Sequence, residues 1–333
     1  MEKIVTAKNV AELAGVSISA VSRTFTEGAS ASQKTRNKVL AAAESLGYQP
    51  NLLARSLITG RTELIGLVSN NFHNPAYMEI FNLFTLGLQK HGFRPLLINL
   101  SGDEEANKAV ATLQQYNVDA IIVASSTLPP DLLKKSMKLQ VPIVHAFGKT
   151  QPKSNIQVVG ADNYQGGRLA ANLLIERNYR KIAFLGGPQE ASSTKDRLKG
   201  FREELKFNGF DLSLEIFGKT YSHDVGRDLM HTILQAHSID AVFCGDDILA
   251  IGAIDACYEA KVSVPEQVGV IGFNDIAMAS WSAYKLTTIR QPIGDIIVAA
   301  VNQAINLINN PKIASSKIIF PCEALIRKTL RNV

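Results

Sequence analysis

The chain predicts a small all-α helix-turn-helix head followed by an α/β core of two doubly wound parallel-sheet lobes. Three observations carry that prediction. Residues 6–23 read as a helix, a tight glycine turn and a second helix. From residue 63 onward, short and nearly continuous apolar runs alternate with helix-length segments, which is how buried parallel strands read. Those runs form two series, which meet near residues 160–162 and separate again near 288–292.

Size and composition agree. A chain of 333 residues accommodates two or three domains, and 46 % hydrophobic with 20 % charged residues is the balance of an ordinary soluble protein. Charge is uneven: residues 1–60 hold seven Lys/Arg against four Glu, whereas the rest holds 28 basic and 26 acidic residues. A basic head on a near-neutral body suits a polyanion that meets the head alone. Cys244, Cys257 and Cys322 are odd in number and lie in apolar or helical contexts, so buried thiols of a reducing compartment are expected. No apolar core follows Met1 and no run of 18 apolar residues occurs. The expectation is therefore a cytoplasmic protein with no signal peptide and no membrane span.

In the head, Thr6 is a natural N-cap for the first helix, with Val10, Leu13 and Ala14 on one apolar face. Gly15 stands where a left-handed C-cap is required. Ser17 can cap the second helix, Val16 and Val21 can close the core, and Ala11 and Ala14 permit a close crossing. Ile18, Ser19, Ser22 and Arg23 then point outward, a short polar face with one forked donor that suits a DNA major groove. Taken alone, the pattern also describes an ordinary αα-hairpin. A third helix is expected over residues 32–46, with Val39, Leu40, Ala43 and Leu46 inward and Lys34, Arg36 and Lys38 near phosphates. Asn51 then opens a short leucine-bearing segment, 51–57, too short for a stable isolated helix. It is either a piece of the next domain's core or a helix formed on DNA, with Leu57 as a minor-groove wedge.

In the core, strands are expected at 64–68, 96–100, 120–124, 143–147, 181–185, 241–244 and 268–271, with a helix over 293–308 and a return at 317–320. Such lobes place a ligand cleft at the strand C-termini. Enzyme signatures are missing: Gly186–Gly187–Pro188 lacks dinucleotide spacing, the polar run after it is not expected to open a helix, and no Walker, HExxH, GxSxG or zinc pattern occurs. The six histidines form no ligand set, and no metal or cofactor is expected. Polar residues at strand ends are more informative. Arg197, Asp246 and Asn274 offer acceptors and a forked donor, and Tyr77 and Tyr221 offer flat faces, a mixture suited to a polyhydroxylated ligand. Helix capping is the competing role for the carboxylates, and it is the role expected of Asp247 and Asp275.

Several motifs along the whole chain resemble the LacI/GalR family of bacterial repressors. The head carries Asn9-Val-Ala-Glu-Leu-Ala-Gly-Val-Ser17 and Val21-Ser-Arg23, and the hinge carries Tyr48-Gln-Pro-Asn51 with Ala54-Arg-Ser-Leu57. The core carries Asn74-Pro75, Asp162-Asn163, Arg197-Leu-Lys-Gly-Phe201, Gly245-Asp-Asp-Ile248, Gly272-Phe-Asn-Asp275 and Leu286-Thr-Thr-Ile-Arg-Gln-Pro292. The resemblance implies a periplasmic-binding-protein-like core and a homodimer whose two heads read a pseudo-palindromic operator. It divides the chain into a head at 1–50, a hinge helix and linker at 51–62, and a core at 63–333. Within the core it implies one lobe at about 63–161 and 292–320 and the other at about 162–291 and 321–333. Base recognition maps to Ile18, Ser19 and Arg23, and phosphate-side contacts to Thr6, Ser17, Ser22, Ser32 and Thr35. Hinge contacts map to Asn51, Ala54, Arg55 and the lever Leu57. Effector contacts map to Ala76, Tyr77, Ser193, Arg197, Tyr221, Asp246, Asn274 and Gln291.

Three positions depart from the family pattern. Asp246 and Asn274 stand where Asn and Asp are usual. Ala191 replaces an Arg of purine-responsive members, which points to a sugar-like effector and a carbohydrate-related operon. Phe147-Gly-Lys149 replaces a polar strand-end pair. The chain carries no leucine heptad tail before Val333, so a dimer is expected and not a tethered tetramer. The rival classes are a periplasmic solute-binding protein, disfavoured by the head, and a Rossmann-like dehydrogenase, disfavoured by the missing glycine fingerprint.

Overall fold

The computed structural model describes residues 5–26, 28–51, 56, 59–100, 105–126, 141–149 and 156–332. It divides into two compact units, Met1–Thr62 and Glu63–Val333.

The first unit contains α1 (Ala7–Ala14), α2 (Ile18–Thr24) and α3 (Gln33–Leu46). Its core is Val10, Ala11, Ala14, Val21, Val39, Ala42 and Ala43, with Val16, Phe25, Leu46 and Tyr48 packed around it. Thr6 begins α1 by a different bond from the one expected: its N–H and its hydroxyl both donate to Asn9 Oδ1, at 3.0 and 2.7 Å. Ser17 and Ser32 accept from Ala20 N and Thr35 N in the ordinary capping sense. Gly15 sits at φ 64°, ψ 40° with Val16 N–H donating to Ala11 O, closing α1 with a left-handed residue.

Two leucines are not where the periodicity put them. Leu13 is 58 % and Leu40 45 % exposed. The buried edge of α1 is Val10, Ala11 and Ala14, and that of α3 is Val39, Ala42 and Ala43. Close helix crossing selects the alanines and turns the leucines out. Arg36, expected near phosphate, donates Nη1 to Thr24 O at 3.1 Å and ties α3 to α2. A Cβ at Gly15 would meet nothing within 4 Å, so the cost of Gly15→Ala is purely conformational. It should weaken the head by about 1–2 kcal/mol, seen as faster amide exchange across α1 and α2 in the full chain; unchanged exchange would contradict the turn geometry.

The second unit holds two six-stranded sheets. The first contains β1 (Leu64–Ser69), β2 (Arg94–Asn99), β3 (Ala120–Ala124), β4 (Ile143–Ala146), β5 (Gln157–Ala161) and β11 (Lys317–Phe320), in the order β11-β5-β4-β3-β1-β2 and wholly parallel. The second contains β6 (Ile182–Gly186), β7 (Leu214–Phe217), β8 (Ala241–Cys244), β9 (Gly269–Asn274), β10 (Thr287–Arg290) and β12 (Glu323–Leu325), in the order β12-β10-β9-β8-β6-β7. It is parallel except for β12 against β10. The chain passes between sheets after β5, after β10 and after β11, so each lobe is built from non-contiguous sequence.

In the first lobe α4 (Ala76–Lys90) and α10 (Ile293–Asn309) pack on each other, and α5 (Glu105–Gln115) contributes to a separate apolar cluster with β1, β2 and β3. The second lobe carries α6 (Asn163–Glu176) against α7 (Ser192–Phe207), and α8 (His223–Ala236) against α9 (Asp247–Glu259). Glycines set both of these crossings. A Cβ at Gly167 would lie 2.1 Å from Arg197 O and one at Gly200 2.0 Å from Tyr164 O, while Gly226 and Gly252 play the same part against Leu249 O and His223 O. One apolar cluster runs from Ile65 and Phe84 in the first lobe to Phe201, Phe243 and Phe273 in the second. Cys244, Cys257 and Cys322 are all buried free thiols.

Candidate functional site

The carboxyl ends of the strands in both sheets converge on one narrow cavity of about 40 Å³. All eight residues assigned to an effector line it: Ala76, Tyr77, Ser193, Arg197, Tyr221, Asp246, Asn274 and Gln291. Most arrive by the same logic, at the end of a parallel strand or in the turn or first helical residues after it, and Arg197 lies one turn further along α7.

Arg197 is 5 % exposed and lies 3.6 Å over the Phe273 ring. Its Nε donates to Asn163 Oδ1 at 2.8 Å and its Nη1 to Gly245 O at 2.5 Å. Nothing among the described residues pairs with Nη2, so the fork keeps a donor for the cavity. Burial pulls its pKa below the usual value, with Tyr221 and Asp246 opposing.

Asp246 is the acceptor centre. Its Oδ1 accepts Ile248 N at 3.0 Å, and its Oδ2 accepts Asn74 Nδ2 at 3.0 Å and Asn274 Nδ2 at 2.8 Å. Burial raises its pKa, against those donors and Arg197. Gln291 Nε2 donates onward to Asn274 Oδ1 at 2.5 Å. On another wall Ser193 Oγ lies 2.8 Å from Ser126 Oγ and 3.2 Å from the Tyr221 hydroxyl, which also bonds Thr194. Tyr77 accepts from Asn71 Nδ2 at 3.1 Å, and burial raises its phenol pKa. Gly187 makes room for Tyr221, because a Cβ there would strike the ring at 2.1 Å.

Three expectations need correction. Asp247 is not the cap of α9; Asp246 is, and it remains in the cavity wall as well. Asp247 is wholly buried, accepts from Ile276 N and Thr288 Oγ1 at 2.9 and 2.6 Å, and is pushed by burial to a pKa of about 7. Asp275, at φ 60°, caps no helix and instead receives Arg290 Nε at 2.8 Å and Arg327 Nη2 at 2.5 Å. With Asn274 at φ 119°, this makes a constrained turn that aims the Asn274 carboxamide. Finally, the polar run after Pro188 does open a helix, since α7 starts at Ser192 with no side-chain cap. The close crossing on α6 supplies what local signals lack, and it places Asp196 and Arg197 inside α7.

Sequence reasoning did not assign Asn71, Asn74, Ile80, Ser126, Phe147, Asn163 and Ile293 to the site, all of which line it. Phe147 leaves β4 at φ 65° and forms an apolar wall. Lys149 points elsewhere, to Asp196 at 2.6 Å across the lobes.

In the first unit, Ile18 is 52 % exposed and Ser17, Ser19, Ser22 and Arg23 are exposed beside it. Thr6, Ser32 and Asn51 are exposed and Thr35 is half-buried. Ala54, Arg55 and Leu57 lie outside the described residues. Among the described residues no cluster of three metal-ligating side chains exists, and no helix is long and apolar enough to cross a membrane.

Comparison with known proteins matches this geometry at both ends of the chain. Residues 6–51 match bacterial regulatory proteins of the lacI family, and residues 171–330 match a periplasmic binding protein-like domain. The ribose operon repressor of Escherichia coli (strain K12) is 32 % identical over 94 % of this chain and 96 % of its own length. The chain belongs to the lacI family. The transcriptional repressor PurR of Klebsiella pneumoniae (strain 342) is also 32 % identical to this LacI-family chain, over 94 % of it and 93 % of PurR. In structure, the Lac repressor dimer bound to operator and the anti-inducer ONPF superimposes with a TM-score of 0.88 at 26 % identity, covering 99 % of this chain and all of that one. LacI-family proteins are DNA-binding transcriptional regulators, not enzymes, and this chain is one of them.

Proposed function

We propose that the chain is a cytoplasmic, homodimeric repressor of a carbohydrate-related operon, gated by a sugar or sugar derivative bound between the core lobes. The observation that carries the reading is the cavity itself. Arg197 Nη2, the Asp246 carboxylate, the amides of Asn71, Asn274 and Gln291 and the hydroxyl groups of Ser126 and Ser193 surround one small space flanked by Tyr77, Tyr221 and Phe147. Alternating donors and acceptors beside flat apolar faces match a ring that carries many hydroxyls. Similarity to the ribose operon repressor points the same way.

PurR is equally similar by identity, and its name makes a purine the second reading. Ala191 favours the sugar, because it stands where purine-responsive members of the family carry an Arg. At the other end, the exposed face of α2 would enter the major groove with Ile18, Ser19 and Arg23. Thr6, Ser17, Ser22, Ser32 and Thr35 would lie toward phosphates, and Asn51, Ala54, Arg55 and Leu57 would fill the hinge role.

A thermal-shift panel of pentoses, hexoses, sugar acids and hypoxanthine tests the effector class. At a ligand concentration 100-fold above its dissociation constant, stabilisation of about 2.7 kcal/mol is expected from a sugar. Stabilisation by hypoxanthine alone would overturn the reading.

A further inference from the structure

The two walls of the cavity already touch. Among the described residues, one of the polar contacts across the lobes joins two deeply buried side chains: Asn74 of the first lobe and Asp246 of the second, 3 % and 4 % exposed. The other crossings differ in kind. Ser126 and Ser193 are neutral hydroxyl groups, and the Lys149–Asp196 pair is open to solvent on the lysine side and therefore screened.

Both partners of the buried bond are held by their own helices. Asn74 Oδ1 accepts Ala76 N at 3.0 Å, so the carboxamide cannot turn away without stranding an N–H at the start of α4. Asp246 Oδ1 accepts Ile248 N at 3.0 Å in capping α9. The N-terminal ends of a 15-residue and a 13-residue helix therefore meet from opposite lobes with one carboxylate between them. Each end carries a partial positive charge, so the carboxylate attracts both. In the second lobe Asn274 donates to the same Oδ2 and is itself held by Gln291, which buttresses the acceptor. The exchanged Asp246 and Asn274 thus have a consequence. An acid at 274 would sit on the β9 turn, whereas an acid at 246 lies between the two helix ends.

We propose that Asn74 and Asp246 form an interlobe clasp that holds the two lobes together, with Asn74 as a positioning residue through which effector binding must act. A ligand reaches the cavity when this bond opens, and a ligand hydroxyl that donates to Asp246 substitutes for the Asn74 amide. The link to control rests on the reading of the cavity as the effector site; the clasp itself is a direct bond between the lobes.

The test uses the full-length protein with no ligand, comparing the wild type, Asn74→Leu and the double variant Asn74→Asp with Asp246→Asn. Leucine keeps the volume and removes the donor together with the acceptor of Ala76 N, while the double variant reverses the bond, the Asn274 and Gln291 amides turning over so that Asn274 accepts from the new amide at 246. Asn74→Leu is expected to raise the radius of gyration in small-angle scattering. It should also speed amide exchange in the second lobe at residues 246–250 by roughly tenfold, as a local opening. The double variant should return both readouts to wild-type values, which a merely misfolded protein would not do. An Asn74→Leu core as compact and protected as wild type would overturn the clasp, and so would a double variant as open as the single one. Because no ligand is present, an empty sugar screen leaves this result valid, and failure of the clasp leaves the sugar reading standing.

Discussion

Arg197→Ala should abolish the effector response while leaving operator binding by the head intact. The guanidinium holds Asn163 Oδ1 and Gly245 O and stacks on Phe273, and its removal leaves Asp246 with no buried cation beside it. Losing a hydrogen bond from a charged donor costs about 1.5–3 kcal/mol. Every 1.4 kcal/mol is a factor of about ten, so effector affinity should fall roughly 10- to 150-fold. Calorimetric titration measures this directly. Arg197→Lys should recover little, since an ammonium keeps the charge but not the fork that reaches Asn163, Gly245 and the cavity together. An Arg197→Ala protein that still responds within a few-fold of wild type would remove Arg197 from the site.

Gly200→Ala and Gly167→Ala should be among the most destabilising small substitutions in the core. At each, the added Cβ would lie near 2 Å from a backbone carbonyl oxygen of the facing helix, which cannot swing aside as a side chain could. Relief requires α6 and α7 to separate. Overpacking of this kind costs about 1–3 kcal/mol and occasionally more, equivalent to roughly 2–12 °C in the melting temperature of a domain of this size. The function should suffer with the fold, because α7 carries Ser193 and Arg197 into the cavity. Differential scanning calorimetry on the two variants checks the claim. A melting point within 1–2 °C of wild type, about what 0.5 kcal/mol produces, would mean that the helices cross less closely.

Much of this organisation could be read from the residues, and the misreadings share a physical cause. Gly15, Ser17 and the outward Ile18–Arg23 face were legible because capping and turn chemistry are local. The strands of nearly unbroken apolar residues were legible because both of their faces are buried. Leu13 and Leu40 misled because side-chain hydrophobicity was weighed above the size limit of a close helix crossing. The start of α7 was hidden because tertiary contact, not a cap, nucleates it. β5, β7, β10 and β12 had no counterpart among the expected strands: β5 carries Gln157, β7 is four residues with Glu215 exposed, β10 begins with Thr287 and Thr288, and β12 has three residues.

In the site, all eight assigned effector residues line the cavity, whereas Asn71 and Asn74 on the opposite wall went unassigned. The signal was available. Asn71 follows β1 just as Asp246 follows β8, and Asn74 precedes the proline that opens α4. In the first lobe the strand-end reading reaches Tyr77 but stops short of the two asparagines before it. The bond between Asn74 and Asp246 could not have been read, because it joins residues 172 positions apart.

The proposed control is that occupancy of the core cavity changes how tightly the head holds operator DNA. The direct measurement is equilibrium binding of the full-length protein to operator DNA by fluorescence anisotropy, over a salt series, with and without the sugar that stabilises the core. Affinity should fall as a power of salt concentration, with a slope of about −0.9 for each neutralised phosphate. Adding the sugar should displace the whole line by a coupling of about 1–3 kcal/mol, a 5- to 150-fold change in affinity. A salt-independent affinity, or lines with and without sugar that coincide although the sugar is bound, would contradict it.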